Sequence, residues 1–348
     1  MPIYYFYFSG VVAFLVCAGA LPAVRRLALR LNLYDQPGPL KIHNGSIPRL
    51  GGIAMMAGML ATTIAFLPLT SRLNAIVVLV LIAIWAIGLV DDLTSLPSYV
   101  RFCVHMSAGA AFWLAGWHLN WFAQAPLDFA ATCMFVALVV NAMNLLDGMD
   151  GLAAATSAIA CLGFLTISAG SPDTMEIVMA SSLLGVSLGI LTVNAPPATM
   201  FMGDSGSTLI GIVLAFLCLN WIHIRPSEHN IVAPLLFLTL PLADVFLAVL
   251  RRARSRAGLF DGDRRHFYDI LLRRGWTVRR VLEVSMAITF VLVIAGWSCV
   301  HGIVGTPFAI GIIVSGVVLA AYVLGSLQPE SKPVQDAHRR TSWGSALD

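Results

Sequence analysis

Long apolar stretches alternate with short polar connections along this chain, and each stretch has the length of a membrane crossing. The stretches lie at about 3–25, 52–70, 74–90, 102–118, 128–146, 151–169, 175–193, 207–223, 231–250, 282–300 and 303–325. A helix needs roughly 17–25 such residues to cross a hydrocarbon core. The connections near 70–73, 170–174 and 301–302 are tight, and longer polar links lie near 26–51, 91–101, 194–206 and 251–281. The pattern predicts an all-α integral membrane protein, a polytopic bundle of about 11 transmembrane helices. No repeat and no second domain is visible. Residues 1–327 read as a single transmembrane domain and 328–348 as a polar, disordered tail.

Composition agrees. Over 348 residues, 58% are apolar and only 11% are charged, with a mean hydropathy of +0.85. A soluble domain of this size could not hide that much apolar surface in one core. The first eight residues are aromatic-rich and lack a basic segment, so they are expected to open the first transmembrane helix rather than a cleaved signal. The net charge of +3 is nearly balanced and gives no reason to invoke nucleic acid. All six cysteines fall within apolar stretches with no Cys-x-x-Cys pair, as small hydrophobes do.

The basic residues orient the bundle. With the N-terminus outside and strict alternation, nineteen of the 21 Lys and Arg fall on the inner side, leaving only Arg72 and Arg225 outside. Positively charged loops stay cytoplasmic, so the C-terminus is expected in the cytoplasm. The same alternation puts every polar motif on the inner face.

Those motifs are concentrated. A carboxylate near a hydrocarbon core costs roughly 2.5–3.5 kcal/mol on insertion scales, so clustered acids need a shared purpose. Asp91 and Asp92 end the third stretch, where two adjacent like charges repel unless a cation is near. Asn141, Asn144, Asp147 and Asp150 recur every third residue and would form one stripe on a helix. Amides there can both donate to and accept from sugar hydroxyls or an acetamido group. Asn194 opens the link that leads to Phe201-Met-Gly-Asp204-Ser-Gly-Ser207, whose glycines can expose backbone N–H groups to phosphate oxygens. Phe201 could stack on a flat base, and Asp204 could reach a metal. In the last inner loop, Arg265 and His266 stand beside Asp263 and Asp269, while Arg251, Arg252, Arg254, Arg256, Arg273 and Arg274 read mainly as the basic membrane anchor. In the first inner loop, Lys41, His43 and Arg49 could steer an anionic headgroup.

Taken as an ordered set, these runs resemble the polyprenyl-phosphate N-acetylhexosamine-1-phosphate transferases, a superfamily that includes phospho-N-acetylmuramoyl-pentapeptide transferase. The resemblance rests on Asp35-x-Pro, Lys41-x-His43, Pro48-Arg49-x-Gly-Gly, Asp91-Asp92, Asn-x-x-Asn-x-x-Asp-Gly-x-Asp-Gly from Asn141, Phe-x-Gly-Asp-x-Gly-Ser from Phe201, and Asp244 followed by Arg251. It implies an eleven-helix enzyme of the bacterial inner membrane, working at the cytoplasmic face. The reaction implied moves a sugar 1-phosphate from a UDP-N-acetylhexosamine to undecaprenyl phosphate and releases UMP. Better-known members carry a His-x-His motif where this chain reads Arg265-His266-Phe-Tyr-Asp269, with one histidine. That departure is similar to the branch that starts O-antigen or exopolysaccharide synthesis with N-acetylated 6-deoxy sugars.

The expected site follows. Mg²⁺, with Mn²⁺ as the alternative, is expected on Asp204 with Asp91 and Asp92 beside it, because magnesium takes one or two carboxylates plus substrate phosphates. Asp91, Asp92, Asp204 and His266 are the expected catalytic residues, with Asp91 as candidate base. Lys41, His43, Arg49, Asn141, Asn144, Asp147, Asp150, Asn194, Phe201 and Arg265 are expected to bind substrate. Membrane lipids are the other expected partners, and a homodimer the expected oligomer if one forms. The competing readings are the peptidoglycan transferase itself and, remotely, an ion-coupled transporter, which would place acids at mid-membrane on repeated halves.

Overall fold

The computed structural model describes residues 4–35, 46–169, 173–225, 231–255 and 265–324, with Asp35, Ser255 and 319–324 described by backbone alone. Lys41, His43, Arg256 and the 328–348 tail lie outside the described residues.

The long regular elements of the described residues are all helices, joined by short loops and one small ribbon. The helices run α1 (Tyr4–Tyr7), α2 (Ser9–Arg30), α3 (Gly51–Phe66), α4 (Arg72–Thr94), α5 (Ser98–Leu114), α6 (Ala125–Leu146) and α7 (Leu152–Ile167). They continue as α8 (Thr174–Asn194), α9 (Gly203–Ile224), α10 (Val232–Phe237), α11 (Thr239–Ser255), α12 (Phe267–Arg273), α13 (Val278–Val300) and α14 (Thr306–Leu324). Strands β1 (Tyr34–Asp35) and β2 (Ile47–Pro48) pair antiparallel, Tyr34 opposite Pro48. Six of the described helical segments are long and apolar enough to cross a membrane, and α3, α7 and part of α14 are shorter apolar helices. This is a multi-pass helical membrane protein.

Every apolar stretch in the sequence coincides with a helix or a helix pair. The 231–250 stretch is a pair: α10 stops at Phe237, Leu238 caps it, and α11 starts at Thr239. Pro241 accounts for the break, since a proline ring clashes with the carbonyl four residues back, here that of Phe237. The polar link expected near 194–206 is also shorter than the sequence suggests, because α9 already begins at Gly203.

Helix α9 is the axis of the bundle. Its apolar window is 89% buried, against 39% for α4, and it packs against α3, α4, α6, α7 and α8. Its first turn, with Asp204, is thereby fixed against the C-terminal ends of α4 and α6. That convergence of three helix ends builds the polar site.

Candidate functional site

Asp92 and Asp204 set the geometry. Asp92 is buried at the end of α4, and its Oδ1 accepts the backbone N–H of Asp204 at 2.8 Å. Its Oδ2 accepts the Ser205 N–H at 3.0 Å and the Ser205 hydroxyl at 2.8 Å. The carboxylate thus caps the first turn of α9, where free N–H groups and the positive end of the helix dipole favour a negative charge. Gly203 has φ +75°, and a Cβ there would lie 2.6 Å from the Asp92 carboxylate. Glycine is what lets the acid approach this closely. Both Asp92 oxygens are therefore engaged by protein donors.

Asp91 points elsewhere. It is 4% exposed and forms an ion pair with Arg101, from the first turn of α5. It also accepts the Leu96 N–H. The same Arg101 nitrogen lies 3.6 Å from Asp204 Oδ1, and Asn144 Nδ2 donates to that oxygen at 2.8 Å. One guanidinium therefore stands between two carboxylates, with an amide on the third side. Arg101 was not among the expected site residues.

The stripe expected from Asn141 to Asp150 breaks. Helix α6 ends at Leu146, and Asp147 caps it. Asn141 and Asn144 share the helical face, while Asp147 and Asp150 lie in the turn that Gly151, at φ +72°, closes before α7. Asp147 is half-buried. Burial, and after it the charges of Asp204, Asp92 and Asp150, push its carboxyl well above the ordinary carboxylate range. Asp150 turns away to accept the Ala198 N–H at 3.0 Å. Asn194 accepts the Gly151 N–H at 3.1 Å and donates to the Met200 carbonyl at 3.3 Å. Asp150 and Asn194 are thus clips that bind the α6–α7 turn to the loop before α9.

The loop from Pro48 to Gly52 is woven into the same region. Phe201 N–H donates to the Pro48 carbonyl at 2.9 Å, and the Gly51 N–H returns to the Phe201 carbonyl at 3.0 Å. Arg49 follows in this crossing and lies within electrostatic reach of Asp92. Its Nε is buried with no hydrogen-bond partner among the described residues.

His266 joins from the other side. It is 3% exposed, and its Nδ1 lies 2.6 Å from Asp244 Oδ2 on α11. Asp244 Oδ1 accepts the Phe267 N–H at 2.9 Å. The Tyr268 ring stacks on His266 with centroids 5.6 Å apart, and its hydroxyl donates to the Leu145 carbonyl at 3.0 Å. Leu145 adjoins Asn144, so His266 is tied to the carboxylate cluster through one side chain. Arg265 precedes it at the start of the described segment. Asp244, noted in the sequence as part of a motif, was missing from the expected site; a lone acid within an apolar helix, about two helical turns before Arg251, was the available signal.

Among the described residues, no three His, Cys, Asp or Glu side chains converge as a protein-only metal centre. The donor set still suits a hard cation that brings its own phosphate ligands. Asp204 offers a carboxylate at the mouth of the cluster, and the neighbouring acids supply negative potential.

A bundle of apolar helices that gathers carboxylates, amides and an arginine where helix ends meet is the design of a membrane enzyme for a charged substrate. Residues 74–222, which hold Asp91, Asp92, Asn144, Asp147 and Asp204, match the family described as Glycosyl transferase family 4. The chain is 27% identical over 345 residues to a probable undecaprenyl-phosphate N-acetylglucosaminyl 1-phosphate transferase of Bacillus subtilis, covering 95% of this chain and 96% of the relative. It is 30% identical over 319 residues to decaprenyl-phosphate N-acetylglucosaminephosphotransferase of Mycobacterium tuberculosis, covering 79% and 78%. A third relative is the undecaprenyl-phosphate alpha-N-acetylglucosaminyl 1-phosphate transferase of Yersinia pestis, 28% identical over 310 residues, with 84% and 82% covered. The chain belongs to the polyprenyl-phosphate N-acetylhexosamine-1-phosphate transferase superfamily, and it is a membrane transferase.

Proposed function

We propose that the protein transfers an N-acetylhexosamine 1-phosphate from a UDP-sugar to undecaprenyl phosphate and releases UMP. In this reading a lipid phosphate oxygen forms a bond to the sugar-bearing β-phosphorus of the donor. The bond from that phosphorus to the bridging oxygen breaks, and UMP leaves with the electron pair. The observation that carries the reading is Arg101 held between Asp91 and Asp204, next to Asn144. A guanidinium in that place can grip a phosphate, and the acids around it keep it oriented.

Each residue then has a task. Asp204 is the residue we assign to Mg²⁺, which when bound would neutralise charge on the pyrophosphate. Arg101 and Asp91 receive the lipid phosphate. That nucleophile needs little help from a base, because a phosphate monoester loses its second proton near pH 6. Asp92 acts on the metal only through the position of Asp204, since its own oxygens are engaged. Asn141, Asn144 and Asp147 face the sugar phosphate, Phe201 stacks on the uracil, and Arg265 with His266 binds the pyrophosphate or sugar. We place the site at the cytoplasmic face of the bacterial inner membrane, with eleven crossings and an outer N-terminus, because that orientation keeps nearly all basic residues inside.

The names of the relatives make UDP-N-acetylglucosamine the first donor to try, and the single-histidine loop makes a UDP-N-acetylated 6-deoxyhexosamine the second. The product would be the first lipid intermediate of a surface polysaccharide. The test is UMP release by purified protein supplied with undecaprenyl phosphate, Mg²⁺ and these donors, with UDP-N-acetylmuramoyl-pentapeptide alongside. Lipid- and Mg²⁺-dependent UMP from an N-acetylhexosamine donor is expected. UMP from the pentapeptide donor alone would transfer the protein to peptidoglycan synthesis.

A further inference from the structure

Asp244 is a buried acid on the broken α10–α11 segment that the proposed chemistry leaves without a task. It is 4% exposed, and a buried carboxylate in an apolar helix needs specific partners. Its two partners are both on the segment that carries His266. One is His266 Nδ1 at 2.6 Å, and the other is the Phe267 N–H at 2.9 Å. The carboxylate accepts from each, so Nδ1 carries a proton whether the ring is neutral or charged. Nε2 is then the nitrogen left to address a ligand, and it has no protein partner among the described residues. Stacking of Tyr268 on the imidazole face, with its hydroxyl anchored on the Leu145 carbonyl, fixes the ring plane as well.

We propose that Asp244 is a positioning residue: it holds His266 with Nδ1 donating to the carboxylate and the ring fixed in plane, so that Nε2 is the atom turned to a polar group of the nucleotide sugar. The inference rests on the reading of the site as a sugar-phosphate transferase. An acid of this kind selects the tautomer and orientation of a histidine.

Other ionisable groups could also act on His266. Arg265 and Asp269 flank it in sequence, Arg251 and Arg252 lie further along α11, and Asp147 follows the Leu145 to which Tyr268 is bonded. Helix α13 contributes Arg279 and Glu283, which pair with each other at 2.9 Å, and Arg280, which lies over Trp276. The described part of α14 contributes none, and α10 none. Of these, Asp244 is the one in direct contact with the ring nitrogen.

The test combines activity with a direct view of the ring. UMP release is measured against nucleotide-sugar concentration for the wild type, Asp244→Asn and Asp244→Glu, each first shown to elute as a folded, monodisperse species. In parallel, ¹⁵N spectra of histidine-labelled protein follow the His266 ring, assigned with His266→Gln. Asp244→Asn should lower kcat/KM about tenfold or more, with a raised KM for the nucleotide sugar, and shift the Nδ1 resonance. Asp244→Glu should recover part of both. A smaller rate with an unmoved KM and unmoved Nδ1 resonance would overturn the proposal and leave Asp244 a merely structural acid. If the wild type releases no UMP but the Nδ1 resonance depends on Asp244, the transferase reading fails while the placement of His266 stands.

Discussion

Asp92 and Asp204, 112 residues apart, meet where the end of α4 caps the first turn of α9, with a carboxylate oxygen 2.8 Å from the Asp204 N–H. The two acids therefore do different things at one place. Asp92 builds the turn, and Asp204 presents its own carboxylate from it. Replacing Asp92 by alanine removes three hydrogen bonds to a helix start and should cost about 2 kcal/mol or more in stability, since a lost cap alone costs about 1. Asp204→Asn should leave the melting temperature near the wild-type value while abolishing turnover. Thermal unfolding in detergent, read beside UMP release, separates the two. Equal losses of stability in both variants would show that the roles are not divided in this way.

Arg101 contacts Asp91 and approaches Asp204 to 3.6 Å. Arg101→Ala leaves buried Asp91 with only the Leu96 N–H, a change that should cost about 1–3 kcal/mol because the arginine side of the pair is partly exposed. Arg101→Lys keeps the charge but not the planar fork. Activity should fall at least tenfold in the lysine variant, mainly as a higher KM for the lipid phosphate, with little change in stability. Steady-state kinetics with varied undecaprenyl phosphate checks this.

Asp147 carries a pH signature. Its folded carboxyl binds a proton more tightly than in the unfolded chain, because of burial first and then Asp204, Asp92 and Asp150. Between the ordinary carboxylate range and its raised value, the folded protein keeps a proton that the unfolded chain has lost. Stability without added cation should therefore fall as pH rises through that window. Asp147→Asn removes this slope, so it should raise the melting temperature more at pH 8 than at pH 5. Mg²⁺ should relieve the same repulsion, with weaker apparent affinity at lower pH. Melting curves across pH, with and without Mg²⁺, test both points.

Gly148 is the passage for Tyr268. A Cβ built on it would overlap the Tyr268 hydroxyl, which is bonded to the Leu145 carbonyl. Gly148→Ala should push α12 and His266 away from the carboxylates at a cost of about 1–3 kcal/mol. Activity should drop more than stability suggests, and Tyr268→Phe in the same background should relieve part of the clash. Paired activity and melting measurements on the single and double variants decide it.

Much of this was legible in the chain because its background is so apolar. Against 11% charged residues, Asp91, Asp92, Asp147 and Asp204 could be picked out singly, and the helical stretches were unmistakable in length. The division between Asp91 and Asp92 was not legible. Neighbours on a helix point about 100° apart, so one acid reaches α9 and the other α5, and no pattern in α4 says which. Arg101 was hidden for a related reason: one arginine near a helix start looks like a membrane anchor until folding places it between two carboxylates. The three-residue spacing from Asn141 to Asp150 misled, because Gly148 and Gly151 end the helix inside the motif. Asp150 and Asn194 carry the residue types of a binding site, yet they spend their hydrogen bonds on backbone across a loop, a long-range contact that spacing cannot reveal.

The central claim is transfer of a sugar together with its phosphate, and the fate of the donor's β-phosphate tests it most directly. Purified protein would be given undecaprenyl phosphate, Mg²⁺ and a UDP-N-acetylhexosamine labelled with ³²P at the β-position, with Asp204→Asn as control. The account predicts label in the lipid fraction, unlabelled UMP in solution, and neither with the control. Label released as UDP, with an unlabelled glycolipid, would mean that the sugar moves without its phosphate and would contradict the account.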